Sequence, residues 1–195
     1  MRMPEVLTAE QPHGNVRTSA VRGAGTPLID AGRINRRVHR LGRQISSTYA
    51  DIDTALVLVV ILKGATVFAA DLMRSLTIPA ELEFIRAASY GSGTSSNGHP
   101  LRLAHMVQGN LAGRHVLLVE DIVDSGRTAE AVTRSVRRMK PASLRLAALL
   151  DRPARRSVEV NIDFRGFTIP DRFVIGYGLD YAGLYRELPS IYSLG

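Results

Sequence analysis

The run Ala-Leu-Val-Leu-Val-Val-Ile-Leu at residues 55–62 constrains the fold more than any other stretch of the chain. It is rich in β-branched residues, carries no polar residue in alternation, and stops at Lys63-Gly64. A strand with one wet face alternates apolar and polar side chains, so an unbroken run is expected where helices cover both faces of a parallel sheet. The run is far too short to span a membrane, which takes roughly 20 apolar residues, and no longer one exists in the chain.

Helical and strand patterns alternate on either side of it. Ile34, Val38, Leu41 and Ile45 recur at spacings of four, three and four within residues 30–50, which predicts an amphipathic helix with Asp30 as its cap. Phe68, Leu72 and Leu76 predict a second helix, ended by Pro79. Strands are expected at 81–88 and 101–107, flanking Ser-Tyr-Gly-Ser-Gly-Thr-Ser-Ser-Asn-Gly-His-Pro, which cannot build a core and reads as a mobile hairpin tip. His-Val-Leu-Leu-Val at 115–119 predicts the next strand, Ala129, Val132, Val136 and Met139 a third helix, and Leu144 onward a further strand, with the last strand at 173–177.

This alternation argues for an α/β fold, a mostly parallel sheet flanked by helices. With 195 residues the chain has length for one domain, expected over 28–195, while residues 1–27 read as a loose N-terminal extension without the apolar core of a secretory signal. The absence of cysteine excludes disulfides, a thiol nucleophile and cysteine-held metals, and fits the reducing cytoplasm. Five histidines, His13, His39, His99, His105 and His115, lie scattered without metal-ligand spacing.

In open α/β sheets ligands bind beyond the carboxyl ends of the strands. The segments that follow strands are Lys63-Gly64, Glu120-Asp121 through Thr128, Asp151-Arg152, and Gly178-Leu179-Asp180. Acidic and basic groups thus recur at one end of the sheet. In the second segment, Gly126 permits a tight turn, and the amides of residues 125–128 open a helix and can hold a phosphate. Three carboxylates, Glu120, Asp121 and Asp124, stand beside that anion site. They would repel a bare phosphate but suit a ligand that also brings hydroxyls and a divalent cation, as a phosphorylated sugar does.

The acidic pair, the third aspartate and the Ser-Gly-x-Thr turn resemble the diphosphate-ribose signature of type I phosphoribosyltransferases. Leu-Leu-Asp-Arg-Pro at 149–153, the stretch from Asp163 to Pro189, Ser-Tyr-Gly-Ser-Gly at 89–93 and the run ending in Lys63-Gly64 resemble the hypoxanthine-guanine branch of that family, over about residues 30–192. The resemblance implies a small hood over the sheet, a flexible lid at Ser89, Tyr90 and Gly91, and a homodimer or homotetramer. It implies that Glu120 and Asp121 hold the ribose diol, that Asp124 is the acid/base group facing purine N7, and that Asp124, Ser125, Gly126, Arg127 and Thr128 hold the 5′-phosphate. Lys63, Gly64 and Arg186 would meet pyrophosphate, Phe173 would stack on the purine, and the backbone of Val174 would read its edge. Asp180, also near the purine, would join Glu120 and Asp121 in placing Mg²⁺. A cis peptide between Leu62 and Lys63 is implied as well.

Arg152 stands where the family has a lysine that contacts the purine 6-oxygen, and this departure bears directly on base recognition. A guanidinium is longer and planar, so it needs a displaced backbone or a second acceptor, which Asp151 or the N7 side could supply. The implied partners are 5-phosphoribosyl 1-diphosphate and a 6-oxopurine, with xanthine preference as an alternative. A net charge of +7, nearly all arginine, admits a second class of function, an RNA-binding regulator using the Arg33, Arg36, Arg37, Arg40 and Arg43 face. A solvated helix face explains those arginines more simply, and a binder would not need Glu120, Asp121 and Asp124. Arg155 and Arg156 read as surface charges, with approach of one of them to the pyrophosphate as the alternative.

Overall fold

A computed structural model of the chain describes residues 26–88, 102–105 and 109–194. The lid residues Ser89, Tyr90 and Gly91 and nearly all of the N-terminal extension lie outside them. Among the described residues the elements run α1 (Ala31–Thr48), β1 (Leu56–Leu62), α2 (Ala65–Arg74), β2 (Ala80–Ala88), β3 (Arg102–His105), β4 (His115–Val123), α3 (Arg127–Arg137), β5 (Ser143–Asp151), β6 (Phe164–Thr168), β7 (Phe173–Ile175) and β8 (Tyr192–Leu194).

Six strands form one sheet in the order β3-β2-β1-β4-β5-β6. All its neighbours pair in parallel except β2 with β3, which are antiparallel. The central position of β1 explains its composition. Leu56, Leu58 and Val60 pack with α1 and α2, whereas Val57, Val59 and Ile61 pack with α3 on the opposite face. Both faces are dry, so neither needs polar residues.

Asp30 caps α1 as its position predicts, its carboxylate accepting from the Arg33 amide at 2.8 Å. α2 ends at Arg74, earlier than Pro79 suggests. There the Ser75 hydroxyl bonds back to the Asp71 carbonyl, and the Thr77 amide turns away to the Ser46 hydroxyl. Leu76 therefore packs against the core from outside the helix. Met139 likewise lies just beyond α3 and packs on the core.

Two strands escaped the sequence patterns. β6 forms the edge of the sheet beside β5, and β8 pairs antiparallel with β7 to make a small second sheet, so 173–177 is not the last strand. Ile29 and Ile191 exchange backbone hydrogen bonds of 3.1 and 2.9 Å, tying the start of the folded region to this second sheet. The Tyr177 hydroxyl donates to Asp71 at 2.6 Å, anchoring the segment after β7 to α2.

Candidate active site

β4 carries the acidic pair within the strand. Its ladder with β5 continues through Glu120–Ala148 and Val123–Asp151, so Glu120 and Asp121 do not follow the strand as the sequence suggests but form part of its carboxyl end. Parallel pairing outweighs the polarity of the two residues. Glu120 is only 6% exposed, and its Oε2 is buried without a hydrogen-bond partner among the described residues, which excludes a solvated strand end. Burial, reinforced by the Asp121 charge, pushes the Glu120 carboxyl well above the usual carboxylate range. Burial raises Asp121 as well, while its bonds to Glu120 and the Ile122 amide and the charge of Arg186 act against that rise. The pair therefore resists carrying two negative charges, a demand that a cation or ligand hydroxyls would meet.

Beyond β4 the chain turns at Gly126, whose φ of 87° leads directly into α3 at Arg127. A Cβ there would lie 2.5 Å from the Val158 carbonyl oxygen, so glycine is required by both conformation and space. The segment after β5 straps this turn from below. The amides of Ser157 and Val158 donate to the Ser125 carbonyl at 3.0 and 3.1 Å. Arg156 donates through Nε to the Asp124 carbonyl at 3.0 Å and through a terminal nitrogen to the Val123 carbonyl at 3.1 Å, and it also pairs with Asp151. Arg156 is thus an internal brace rather than a surface charge, whereas Arg155 fits the surface reading, its side chain 57% exposed and paired with Asp171.

Arg152 is 6% exposed and faces Asp124 with a two-pronged contact. Its Nε donates to Asp124 Oδ1 at 3.0 Å and its NH2 to Oδ2 at 2.6 Å, while NH1 reaches the Arg172 carbonyl at 2.5 Å. The acceptor that the guanidinium finds is the Asp124 carboxylate. Asp151 is engaged instead by Arg156 and by Arg165, the latter at 3.0 Å.

Lys63-Gly64 and the 178–186 segment close the other side. The Leu62–Lys63 peptide is cis. A Cβ on Gly64 would fall 1.6 Å from Asp121 Oδ2, and one on Gly178 would fall 2.2 Å from the Gly64 carbonyl oxygen. These three segments therefore touch with only glycine between them. Arg186 donates to the Gly178 carbonyl at 2.5 Å and pairs with Asp180 at 2.5 Å, whose other oxygen accepts from the Gly183 amide at 2.8 Å.

Phe173 is 46% exposed at the start of β7, with the Tyr181 ring edge-on at 5.8 Å. It is available as a platform, whereas Val174 is buried. Tyr181, itself exposed, was not singled out from the sequence; its place directly after Asp180 was the only signal. In α1, Arg37 caps the Gly166 carbonyl of the edge strand at 2.8 Å and Arg33 lies over Phe167, so part of the arginine face serves the fold.

Among the described residues no three acidic or histidine side chains form a metal cage. The residues still fit Mg²⁺, which is usually held by one or two carboxylates together with substrate phosphates and waters. The orphaned Glu120 oxygen beside Asp121 supplies such a partial donor set.

The chain as a whole is similar to known proteins. The chain is 43% identical over 164 residues to the hypoxanthine phosphoribosyltransferase of Salmonella typhimurium, covering 84% of this chain and 92% of that one. It is 42% identical over 171 residues to the hypoxanthine-guanine phosphoribosyltransferase of Mycobacterium avium, covering 86% and 84%. A crystal structure of a hypoxanthine-guanine phosphoribosyltransferase from Bacillus anthracis superposes with a TM-score of 0.79 at 38% identity, covering 87% of this chain and 98% of that one. For a Staphylococcus aureus hypoxanthine phosphoribosyltransferase the TM-score is 0.84 at 33% identity, with 92% and 96% covered. The family model described as a phosphoribosyl transferase domain matches residues 28–182, from the strand-tied start of the fold through the Asp180 segment. The match covers the acidic pair at the end of β4 and the glycine-lined contacts around it: the chain belongs to the phosphoribosyltransferase family.

Proposed function

We propose that the chain is a purine salvage transferase that converts hypoxanthine or guanine and 5-phosphoribosyl 1-diphosphate into the nucleoside 5′-monophosphate and pyrophosphate. The observation that carries this reading is the convergence of a glycine turn opening α3, a buried acidic pair and the Lys63-Gly64 and Arg186 segments at one end of the sheet.

Residues 124–128 hold the 5′-phosphate through backbone amides and the hydroxyls of Ser125 and Thr128. Glu120 and Asp121 accept hydrogen bonds from the ribose diol, which relieves their crowding. Lys63, Gly64 and Arg186 hold the leaving pyrophosphate. Mg²⁺, placed with Glu120, Asp121 and Asp180, supplies charge neutralisation on the donor when bound.

Purine N9 forms its bond to ribose C1′ as the C1′–oxygen bond to pyrophosphate breaks, and Asp124 takes the N7 proton. Phe173 stacks on the base and the Val174 backbone meets its edge. Arg152 offers its remaining N–H groups to the 6-oxygen, which favours 6-oxopurines because a guanidinium is donor-only and cannot accept from an amino group. Ser89, Tyr90 and Gly91 belong to a lid that shields the ribose from water. The protein works in the cytoplasm as a homodimer or homotetramer.

The test is an assay of the purified full chain with 5-phosphoribosyl 1-diphosphate, Mg²⁺ and each of hypoxanthine, guanine, xanthine and adenine. Nucleotide formation from hypoxanthine or guanine is expected, with far less from adenine. Adenine as best substrate, or steeply salt-dependent RNA binding without turnover, would overturn the proposal.

A further inference from the structure

We propose that Arg152 is a positioning residue that works through Asp124, so that guanidinium and carboxylate act on the purine as one unit. The inference rests on the proposed role of Asp124 as the group that takes the N7 proton. Its basis is a three-point hold. Nε and NH2 of Arg152 bond the two oxygens of Asp124 at 3.0 and 2.6 Å, and NH1 bonds the Arg172 carbonyl at 2.5 Å. The Arg156 bond of 3.0 Å to the Asp124 carbonyl fixes the same residue from its backbone. Neither the aspartate's main chain nor its carboxylate is left to rotate freely.

This hold does not exhaust either partner. Each carboxylate oxygen keeps a further lone pair, and each terminal nitrogen of Arg152 keeps one N–H. The pair can therefore present an acceptor beside a donor. A 6-oxopurine protonated at N7 presents the complement on one edge, an N–H beside an oxo group. That tautomer leaves an in-plane lone pair on N9, the atom that attacks C1′. As the N9–C1′ bond forms, the N7 proton passes to Asp124 and the N7–H electron pair returns to the ring. A fixed pair thus selects the reactive tautomer as well as the base. A lysine, with a single compact ammonium, cannot span both carboxylate oxygens and the 6-oxygen in one plane.

The experiment is a double-mutant cycle on steady-state kinetics with hypoxanthine, using Asp124→Asn, Arg152→Ala and the combined variant, with donor affinity measured alongside. Arg152→Ala should lower kcat roughly 10- to 100-fold in the otherwise native protein, and by less than about threefold in the Asp124→Asn background. Arg152→Lys should restore the hypoxanthine KM while leaving kcat at least about fivefold low. If Arg152→Ala fails to bind donor, the cycle is run with Arg152→Lys, whose kcat deficit should vanish in the Asp124→Asn background. Equal losses in both backgrounds, a change in KM alone, or full kcat rescue by lysine would overturn the proposal while leaving Asp124 as base. Native turnover in Asp124→Asn would overturn the base assignment and this proposal together.

Discussion

Glu120 and Asp124 stand four residues apart along one strand-to-turn segment, and the fold treats their carboxylates in opposite ways. Glu120 is buried with an unpartnered oxygen and pushed well above the usual carboxylate range by burial and by Asp121. Asp124 is held at both oxygens by Arg152 and at its carbonyl by Arg156. A stability-driven design would satisfy both. The first carboxylate keeps an open acceptor, whereas the second is held in place. In the proposed reaction this contrast would place binding and proton transfer at different ends of the same short segment.

The largest effect expected is on Asp124. Asp124→Asn keeps the shape and removes the proposed base, and turnover should fall by roughly 100- to 10,000-fold in steady-state assays, the range for a general base. Equal loss of donor affinity would make Asp124 a binding residue and dissolve the contrast. Next comes Glu120→Gln, which should raise the donor KM roughly 10- to 100-fold, as expected when a hydrogen bond to a charged group worth about 1.5 to 3 kcal/mol is lost. Its effect on kcat should be smaller.

Glu120→Gln should also stabilise the fold, in a pH-dependent way. Because the folded-state carboxyl is raised, the stability linked to its protonated form is complete below the ordinary carboxylate range and lost as pH rises through the folded value. The variant, which cannot ionise, should therefore melt higher than the native protein at pH 8, by roughly 2 to 4 °C for a gain of about 1 kcal/mol. The gap should close as pH falls towards 4. A gap that is constant with pH would show that Glu120 is not held in an unfavourable charged state. The smallest effect is expected at Arg155, three residues from Arg152 but paired with Asp171 at the surface. Arg155→Ala should leave both kinetics and thermal midpoint essentially unchanged.

Much of this contrast was legible before the structure, but not its geometry. The unbroken apolar composition of β1 announced a sheet covered on both faces, and Gly126 after three close carboxylates announced the turn. The end of β4 was misplaced because charge normally marks a strand terminus, whereas here the ladder with β5 carries Glu120 into the sheet. β6 was missed because Arg165 and Gly166 interrupt its apolar pattern, with Arg165 turned to Asp151 and Gly166 backed against the Leu149 carbonyl. No spacing rule could pair Arg152 with Asp124, since 28 residues separate them and strand order alone brings their ends together. Arg156 looked like its exposed neighbour Arg155 for the same reason.

Direct titration of 5-phosphoribosyl 1-diphosphate with Mg²⁺ into the native protein, Glu120→Gln and Asp124→Asn tests the division of labour without reference to turnover. Affinity should fall in Glu120→Gln and remain within about threefold of native in Asp124→Asn, because only the former loses a ligand contact that the donor needs. Comparable loss in both variants, or loss confined to Asp124→Asn, would contradict the account.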